Sequence, residues 1–388
     1  MSRAQQDQPA SSEHGQDLAR RMTEALEKVA ASYGDVGVQA VLRESGHLAW
    51  SACRGLAVRE SSVPVVDQTM FCFASFGKLV LAAFALRQVE AGRLELDRPI
   101  EAYIGDTVPG SGVVTARMLM GHTAGYPDVF SDPKVTPFFP PGGPGAGTGS
   151  HYDPNRPYTF DMLAAGIHNP VDPGEHWDYS NAAYLVLGHV LSSIVGDTEA
   201  LERACMDFVA CAGGGMTIYR SQSALPRLAH GYLVQRDGTL LDYFTAYGAR
   251  GIPTDLYGLP FADGAFAGTA MGAAQFLDEL FVHTRLLRSA TVREMIAPTP
   301  QAAAIGETYG LGTRRVVVGE RIWQGHTGTY GGFTALGGTD RSCGATLVVV
   351  ANRIADVDRV PPGSDHVATV IWTALAETYE AEAVGFVS

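Results

Sequence analysis

The chain contains no long apolar run. No stretch reaches the roughly 18 to 20 consecutive apolar residues that a membrane-spanning helix needs. Residues 1–15 are polar and lack the apolar centre of a secretory signal. From these two absences we expect a cytoplasmic protein whose partners do not include a membrane.

Cysteine is also scarce, with 5 residues among 388. The number is odd and no C-x-x-C pair occurs, so neither a disulfide framework nor a zinc knuckle is indicated. No histidine, cysteine or acidic cluster has the spacing of metal ligands. We expect reduced, mostly buried cysteines, no metal and no other cofactor. Cys72 alternates with Phe71 and Phe73 in an apolar run, which is typical of packing rather than of a nucleophile.

Basic residues are outnumbered, since 28 Lys and Arg stand against 41 Asp and Glu, for a net charge of -13. The acidic residues are scattered and form no block of like charge. This pattern argues against nucleic acid as a partner and indicates solubility. With 46% hydrophobic residues, the chain can bury a large core and form two lobes or one large domain.

The order of the apolar patterns predicts an α/β (α+β) fold. An amphipathic helix is expected from Gln16 to Ser32, mainly helices in the middle of the chain, and a final helix from Asp365 to Tyr379. Strands are expected at Val36–Leu42, His47–Cys53, Tyr309–Val318, Arg321–His326, Phe333–Gly337 and Ala345–Asn352. The economical packing is an antiparallel sheet built from both ends of the chain, flanked by the N- and C-terminal helices, with a mainly helical region beside it.

These patterns divide the chain into regions. We expect residues 1–15 to be disordered, residues 16–70 and 300–388 to form the sheet region, and residues 71–299 to form the mainly helical region. Together they form a single catalytic unit with its active site at the junction, where small-molecule sites tend to lie. Residues 132–157 are rich in Pro and Gly and are predicted to be a surface loop without regular structure, either filler or part of a lid.

Ser75 and Lys78 form an S-x-x-K pattern at the start of an apolar segment. If Ser75 opens a helix, Lys78 lies one turn on and on the same face, within hydrogen-bond reach of the hydroxyl. A lysine that is partly desolvated among apolar residues can take the proton of a serine hydroxyl and make it nucleophilic. The same pattern also arises by chance as a helix cap followed by a solvated lysine, so these two residues alone do not identify an enzyme.

Tyr179 and Asn181 lie two residues apart in a Tyr-Ser-Asn tripeptide. In an extended segment they would present a phenol and an amide to one space. A phenol beside a lysine ammonium would share protons with Ser75 and Lys78. The tripeptide is also compatible with an ordinary helix N-cap.

A third segment, His326-Thr327-Gly328-Thr329, follows an apolar pair and precedes two further glycines. This is typical of a strand in which a bare glycine lets a substrate backbone approach. A plain edge strand would have the same pattern.

In this order, Ser75-Phe76-Gly77-Lys78, Tyr179-Ser180-Asn181 and His326-Thr327-Gly328 resemble the three motifs of the serine penicillin-recognising enzymes. With a tyrosine in the second motif, the chain is similar to the group of class C β-lactamases, DD-carboxypeptidases, D-aminopeptidases and esterases. Supporting stretches lie at residues 115–125, 173–188 and 267–269, and the resemblance covers essentially residues 16–380. It implies a β-lactamase/transpeptidase-like fold and a serine hydrolase or acyltransferase for a small-molecule amide or ester.

The resemblance implies a role for each matching residue. Ser75 attacks a carbonyl, and Lys78 and Tyr179 move its proton and later deliver one to the leaving group. The N–H groups of Ser75 and Thr329 form the oxyanion hole. The substrate-binding residues are Asn181, on the acyl side, and the third motif: His326, Thr327 and Gly328. The resemblance assigns no chemistry to the other histidines weighed as candidates: His122, His176 and His189.

The third motif departs from that of class C β-lactamases, which have a lysine where this chain has His326. An imidazole attracts a substrate carboxylate less strongly than an ammonium does. The histidine form is known in DD-peptidases, so a DD-carboxypeptidase or D-amino-acid amidase is the first alternative, followed by a β-lactamase and a non-catalytic ligand-binding module. Whether water or a second nucleophile accepts the acyl group stays open at this point.

Overall fold

The computed structural model describes residues 13–139, 147–152, 160–218, 227–235, 237–247, 266–354 and 367–384. We expected disorder at residues 1–15. Residues 1–12 lie outside the described residues, and a helix begins at Glu13. Of the loop expected at residues 132–157, residues 140–146 and 153–157 also fall outside them. The described part of that loop contains a 3-10 turn at Thr136–Phe138, where no regular structure was expected.

Fourteen strands are found in the described residues. In chain order they are β1 (Val38–Glu44), β2 (His47–Arg54), β3 (Leu56–Val58), β4 (Val63–Pro64), β5 (Phe71–Cys72), β6 (Met216–Ile218), β7 (Tyr232–Val234), β8 (Leu240–Asp242), β9 (Phe266–Gly268), β10 (Arg314–Val318), β11 (Arg321–Tyr330), β12 (Phe333–Asp340), β13 (Ala345–Ala351) and β14 (Arg353–Ile354).

Twelve α-helices accompany these strands in the same part of the chain. They are α1 (Glu13–Ala30), α2 (Gly77–Glu90), α3 (Glu101–Ile104), α4 (Ala116–Met120), α5 (Phe160–Ala164), α6 (Asn181–Val195), α7 (Thr198–Ala210), α8 (Tyr243–Tyr247), α9 (Ala270–Leu277), α10 (Ser289–Ile296), α11 (Pro300–Ala304) and α12 (Val367–Val384). None of the described helices is both long and apolar enough to cross a lipid bilayer.

The main sheet has six antiparallel strands in the spatial order β10-β11-β12-β13-β1-β2. Its N- and C-terminal parts meet where β1 pairs with β13, in a register that places Val38 opposite Ala351. Every residue of β12 and β13 is buried, because helices cover both faces of the sheet. The predicted antiparallel sheet, built from both chain ends and flanked by the terminal helices, is confirmed.

Two hydrophobic cores lie on the two faces of this sheet. The first packs α1 and α12 against it, with Trp372 fully buried and its indole N–H donating to the carbonyl of Leu347 at 2.9 Å. The second is larger and contains α2, α6 and α9. Helix α2 is apolar on nearly all sides, as expected for a helix enclosed by protein, and its N-terminus therefore starts inside the fold.

Two expectations about local structure are wrong. The strand expected from Tyr309 begins only at Arg314, because Gly310-Leu311-Gly312 forms a turn in which Gly312 has φ +72° and lies against Ala82. The cysteines are all free, as expected, but three of the five are exposed: Cys53, Cys211 and Cys343.

A buried ion pair joins the sheet to the helical side of the fold. Arg43 of β1 donates from Nε to Oδ2 of Asp278 at 2.6 Å, and the two side chains are only 7% and 2% exposed. Asp278 follows α9 directly, so this pair fixes α9 on the sheet. Removing one partner of a buried pair leaves the other charge in an apolar environment without its counter-charge.

We therefore expect Asp278→Ala to lower the free energy of unfolding by about 3 to 5 kcal/mol, measured by urea denaturation. Asp17 is the matched control, because it pairs with Arg20 and Arg21 at the surface, where an ion pair contributes at most about 1 kcal/mol. Equal effects of Asp278→Ala and Asp17→Ala would show that the buried pair does not fix α9.

Candidate active site

Ser75 lies in a 3-10 turn, Ala74–Phe76, that leads directly into α2. Ala74 has φ +47°, a left-handed conformation that costs a non-glycine residue about 1 to 3 kcal/mol. The turn is held by neighbouring hydrogen bonds, because the N–H of Phe73 donates to Phe266 at 2.8 Å and that of Phe76 to Phe73 at 3.1 Å. Ser75 is partly exposed while both of its neighbours are buried, so the turn presents its hydroxyl at a surface.

Lys78 lies one helical turn after Ser75, as predicted. Its Nζ donates to Oγ of Ser75 at 3.0 Å. The side chain is completely buried, and Nζ lies 5.3 Å from the ring centre of Tyr179 and 5.7 Å from that of Tyr184. The structure therefore brings together the three residues predicted to transfer protons: Ser75, Lys78 and Tyr179.

The Tyr-Ser-Asn tripeptide both caps a helix and contributes to this site. Ser180 is the N-cap of α6, where its Oγ accepts from the N–H of Ala183. Asn181 donates from Nδ2 to Oδ2 of Asp128 at 3.0 Å. The N-cap interpretation is thus correct for Ser180, while its two neighbours remain available for the site.

Asp128 was not singled out from the sequence. Its other carboxylate oxygen accepts from the N–H of Phe130, which caps the following 3-10 turn. Burial raises the pKa of Asp128, and the bonds from Phe130 and Asn181 together with the charge of Lys78 oppose that rise. A half-buried carboxylate therefore lies beside Asn181, within the electrostatic reach of Lys78.

The third motif lies in β11, which is an inner strand between β10 and β12 rather than an edge strand. A Cβ on Gly328 would lie 1.9 Å from the carbonyl oxygen of Phe73 and 3.1 Å from the nitrogen of Phe76. The backbone that approaches this glycine is therefore that of the Ser75 turn, whereas a substrate backbone was expected. Thr327 and Thr329, on either side of it, are partly exposed.

His326 is buried, with only 2% of its surface exposed. Its Nε2 lies 2.8 Å from the hydroxyl of Tyr309, and its Nδ1 lies 2.6 Å from the carbonyl oxygen of Thr327. Burial, with a smaller contribution from the charges of Arg314 and Lys78, lowers the pKa of His326 to about 3. The imidazole is thus neutral near pH 7, and both of its ring nitrogens are hydrogen-bonded within the protein.

His122 is the histidine whose position differs most from expectation. The structure buries it against Tyr179, with the ring centres 4.2 Å apart, and its Nε2 lies 3.2 Å from the hydroxyl of Tyr309. His176 is exposed, and His189 stacks on Phe160. The sequence contains His122 within a matching stretch, but nothing local indicates that its ring reaches the site.

One group of possible metal ligands occurs in the described residues, although none was expected from the spacing. Glu60, His230 and Asp242 each offer a ligand atom within 4.8 Å of the others. These atoms already have hydrogen-bond partners, because His230 lies 2.9 Å from Asp242 and Tyr232 donates to Glu60 at 2.8 Å. The geometry is therefore accounted for by two hydrogen bonds.

The chain is similar in sequence to known bacterial proteins. Esterase EstB of Burkholderia gladioli is 30% identical over 130 residues, which are 32% of this chain and 33% of the esterase. The putative penicillin-binding protein PbpX of Bacillus subtilis (strain 168) is 23% identical over 321 residues, or 81% of this chain and 70% of that protein. The alignment with the esterase thus spans only about a third of either protein.

A solved structure extends the likeness to nearly the whole fold. D-amino acid amidase from Ochrobactrum anthropi SV3, complexed with D-phenylalanine, superimposes with a TM-score of 0.76 over 94% of this chain and 99% of the amidase. At 20% sequence identity this match shows a common fold. The family model described as Beta-lactamase matches residues 19–368, a range that contains every motif of the site. The chain therefore belongs to the Beta-lactamase family.

Proposed function

We propose that this protein is a serine hydrolase or acyltransferase that forms an acyl-enzyme on Ser75 from a small amide or ester. The observation that carries the proposal is the 3.0 Å contact between Nζ of Lys78 and Oγ of Ser75, formed by a fully buried lysine on a rigid helix. A lysine that merely follows a helix cap would be exposed to solvent, whereas Lys78 is buried. The esterase, penicillin-binding protein and amidase named above support the same class of chemistry.

In the proposed mechanism Oγ of Ser75 attacks the substrate carbonyl carbon while its proton passes to the basic member of the Lys78–Tyr179 pair, and the other member keeps its own proton. The N–H groups of Ser75 and Thr329 stabilise the negative charge on the carbonyl oxygen. The bond from carbon to the leaving nitrogen or oxygen then breaks, and the leaving group takes the proton. A water molecule or a second nucleophile attacks the resulting ester, accepts the acyl group and returns a proton to Ser75.

The acyl acceptor and the location of the protein are parts of the proposal. Acyl transfer requires that a bound acceptor reach the ester before water does. The segment around residues 132–157 is proposed to shape that access. A cytoplasmic location stays a prediction, which fractionation of cells that express the full chain would test.

A narrower function is favoured by Asp128. A half-buried carboxylate hydrogen-bonded to Asn181 suits an acyl group that carries an ammonium, as in an amino-acid amide or ester. This supports the D-amino-acid amidase alternative, and the D-amino acid amidase with the same fold was solved with D-phenylalanine. A β-lactamase is a weaker candidate, because the neutral His326 offers no positive charge to a β-lactam carboxylate. A non-catalytic binding module would not require Ser75, Lys78 and Tyr179 to be assembled in this way.

The nucleophile can be tested by covalent labelling. We expect wild-type protein incubated with a p-nitrophenyl ester or a fluorescent penicillin to gain one acyl group, located on Ser75 by peptide mass spectrometry. Ser75→Ala should lose the adduct and ester turnover, whereas Cys211→Ser, which removes an exposed thiol, should keep both. A folded wild-type protein that gives neither adduct nor turnover with any ester contradicts the proposal.

The amine preference can be tested at Asp128. Asparagine is also a good N-cap, so Asp128→Asn keeps the turn while it removes the charge. We expect Asp128→Asn to lower kcat/KM for D-phenylalanine amide. The factor of this loss should be about ten times the factor lost with the N-acetyl derivative, which lacks the ammonium. An equal loss for both substrates would assign Asp128 to the support of Asn181 alone.

A further inference from the structure

A chain of buried polar side chains lies behind the proposed catalytic residues and takes no part in the steps above. It consists of His122, Tyr309 and His326, which are 1%, 0% and 2% exposed. We propose that His122 and Tyr309 are positioning residues: they hold Tyr179 beside Lys78 and keep His326 neutral in a single tautomer. This inference rests on the proposed function, because Tyr179 has no other assigned role.

His122 forms hydrogen bonds with the backbone on both sides of Tyr179. Its carbonyl oxygen accepts from the N–H of Asp178 at 2.9 Å, and its ring Nδ1 accepts from the N–H of Ser180 at 3.2 Å. The ring itself lies against that of Tyr179, 4.2 Å away between centres and tilted by 34°. One residue therefore fixes the residue before the tyrosine, the residue after it and the plane of its ring.

The backbone of His122 is strained to achieve this. Its φ of +56° lies in the left-handed region, which is unfavourable for a non-glycine residue. A glycine at this position would avoid the strain but would lack the ring. The strain is therefore consistent with a requirement for the imidazole.

The hydrogen bonds among His122, Tyr309 and His326 all donate in the same direction, from His122 towards His326. The N–H of Ser180 can only donate, so Nδ1 of His122 accepts and the ring proton of the neutral imidazole is on Nε2. That proton is donated to the hydroxyl of Tyr309 at 3.2 Å, and Tyr309 donates its own proton to Nε2 of His326 at 2.8 Å. The remaining proton of His326, on Nδ1, is donated to the carbonyl of Thr327.

Every donor among these three side chains has an acceptor, and none of the three is charged. The hydroxyl of Tyr309 is also hydrogen-bonded to that of Tyr184, whose own proton is donated to the carbonyl oxygen of Met120 at 3.1 Å. Two imidazoles are thus locked in opposite tautomers, Nε2–H for His122 and Nδ1–H for His326. These three hydrogen-bonded side chains connect Tyr179, in the second motif, to β11, which carries the third motif. The linkage passes through Tyr309, which belongs to neither motif.

The surroundings oppose any protonation of this chain. Burial and the charges of Lys78 and Arg314 lower the pKa of both histidines, while the other rings packed against His122 are the phenols of Tyr179 and Tyr184 and the indole of Trp177. A proton added to Nδ1 of His122 would face the N–H of Ser180, and one added to Nε2 of His326 would face the hydroxyl proton of Tyr309. His122 and His326 must therefore be neutral for the hydrogen bonds that hold Tyr179 in place to form.

Tyr309→Phe tests the proposal, because it keeps the ring and removes only the hydroxyl. Nε2 of His326 then loses the donor that favours its neutral form, so its pKa rises. We expect kcat for ester turnover to fall about tenfold to a hundredfold with KM little changed, and the acidic limb of the pH–rate profile to move to higher pH. Tyr126→Phe is the matched control, since Tyr126 is equally buried and donates one hydrogen bond, to the carbonyl of Pro109 at 2.7 Å.

The two failures are distinguishable. If wild-type protein is not acylated, the proposed function fails; if it is acylated and Tyr309→Phe behaves like Tyr126→Phe in rate and pH profile, the positioning role fails.

A second measurement needs no substrate and reads the tautomers in the wild-type protein. Long-range ¹⁵N–¹H spectra of histidine rings distinguish the two neutral tautomers from the imidazolium. At pH 7 we expect Nε2–H for His122 and Nδ1–H for His326, with resonances assigned by selective loss in His326→Gln and by shifts in Tyr309→Phe. A charged ring, or the same tautomer at both positions, would overturn the proposed chain.

Discussion

The site depends on the contact between β11 and the turn that carries Ser75. A single hydrogen atom at Gly328 separates the strand from the carbonyl of Phe73, and any larger side chain would hold the two segments apart. Because β11 is an inner strand of the sheet, it cannot move without breaking pairs on both sides. The sheet thus sets the position of Ser75 relative to the third motif, and α2 sets that of Lys78 relative to Ser75.

Electrostatics divides this centre into two layers. The buried Lys78 and the half-buried Asp128 supply the charge close to Ser75. Behind them, His122, Tyr309 and His326 satisfy one another without charge. A buried polar network of this kind is costly if one member lacks a partner, so it specifies one arrangement of the second and third motifs.

Much of this arrangement was predictable from sequence, because its signals are local. A spacing of three residues places Lys78 over Ser75 on any helix, and alternation at both chain ends predicts one antiparallel sheet. The interactions of His122, Tyr309 and Asp128 were not predictable, because they depend on partners far along the chain. Tyr309 was assigned to a strand, whereas the turn at Gly310 and Gly312 delays the start of that strand to Arg314 and leaves the Tyr309 ring directed towards His326. Asp128 has the local pattern of a turn cap, and only the fold brings it to Asn181.

The pairing of β1 with β13 affects when the site can form during synthesis of the protein. During synthesis, Ser75, Lys78 and Tyr179 leave the ribosome well before β11, and β11 is held in place by strands that emerge later still. Closing a contact between such distant segments is slow, and it must precede the fixing of β11. The nascent chain therefore carries Ser75, Lys78 and Tyr179 for most of its translation without β11 beside them, and the proposed acyl-enzyme chemistry becomes possible only once the last strands have folded.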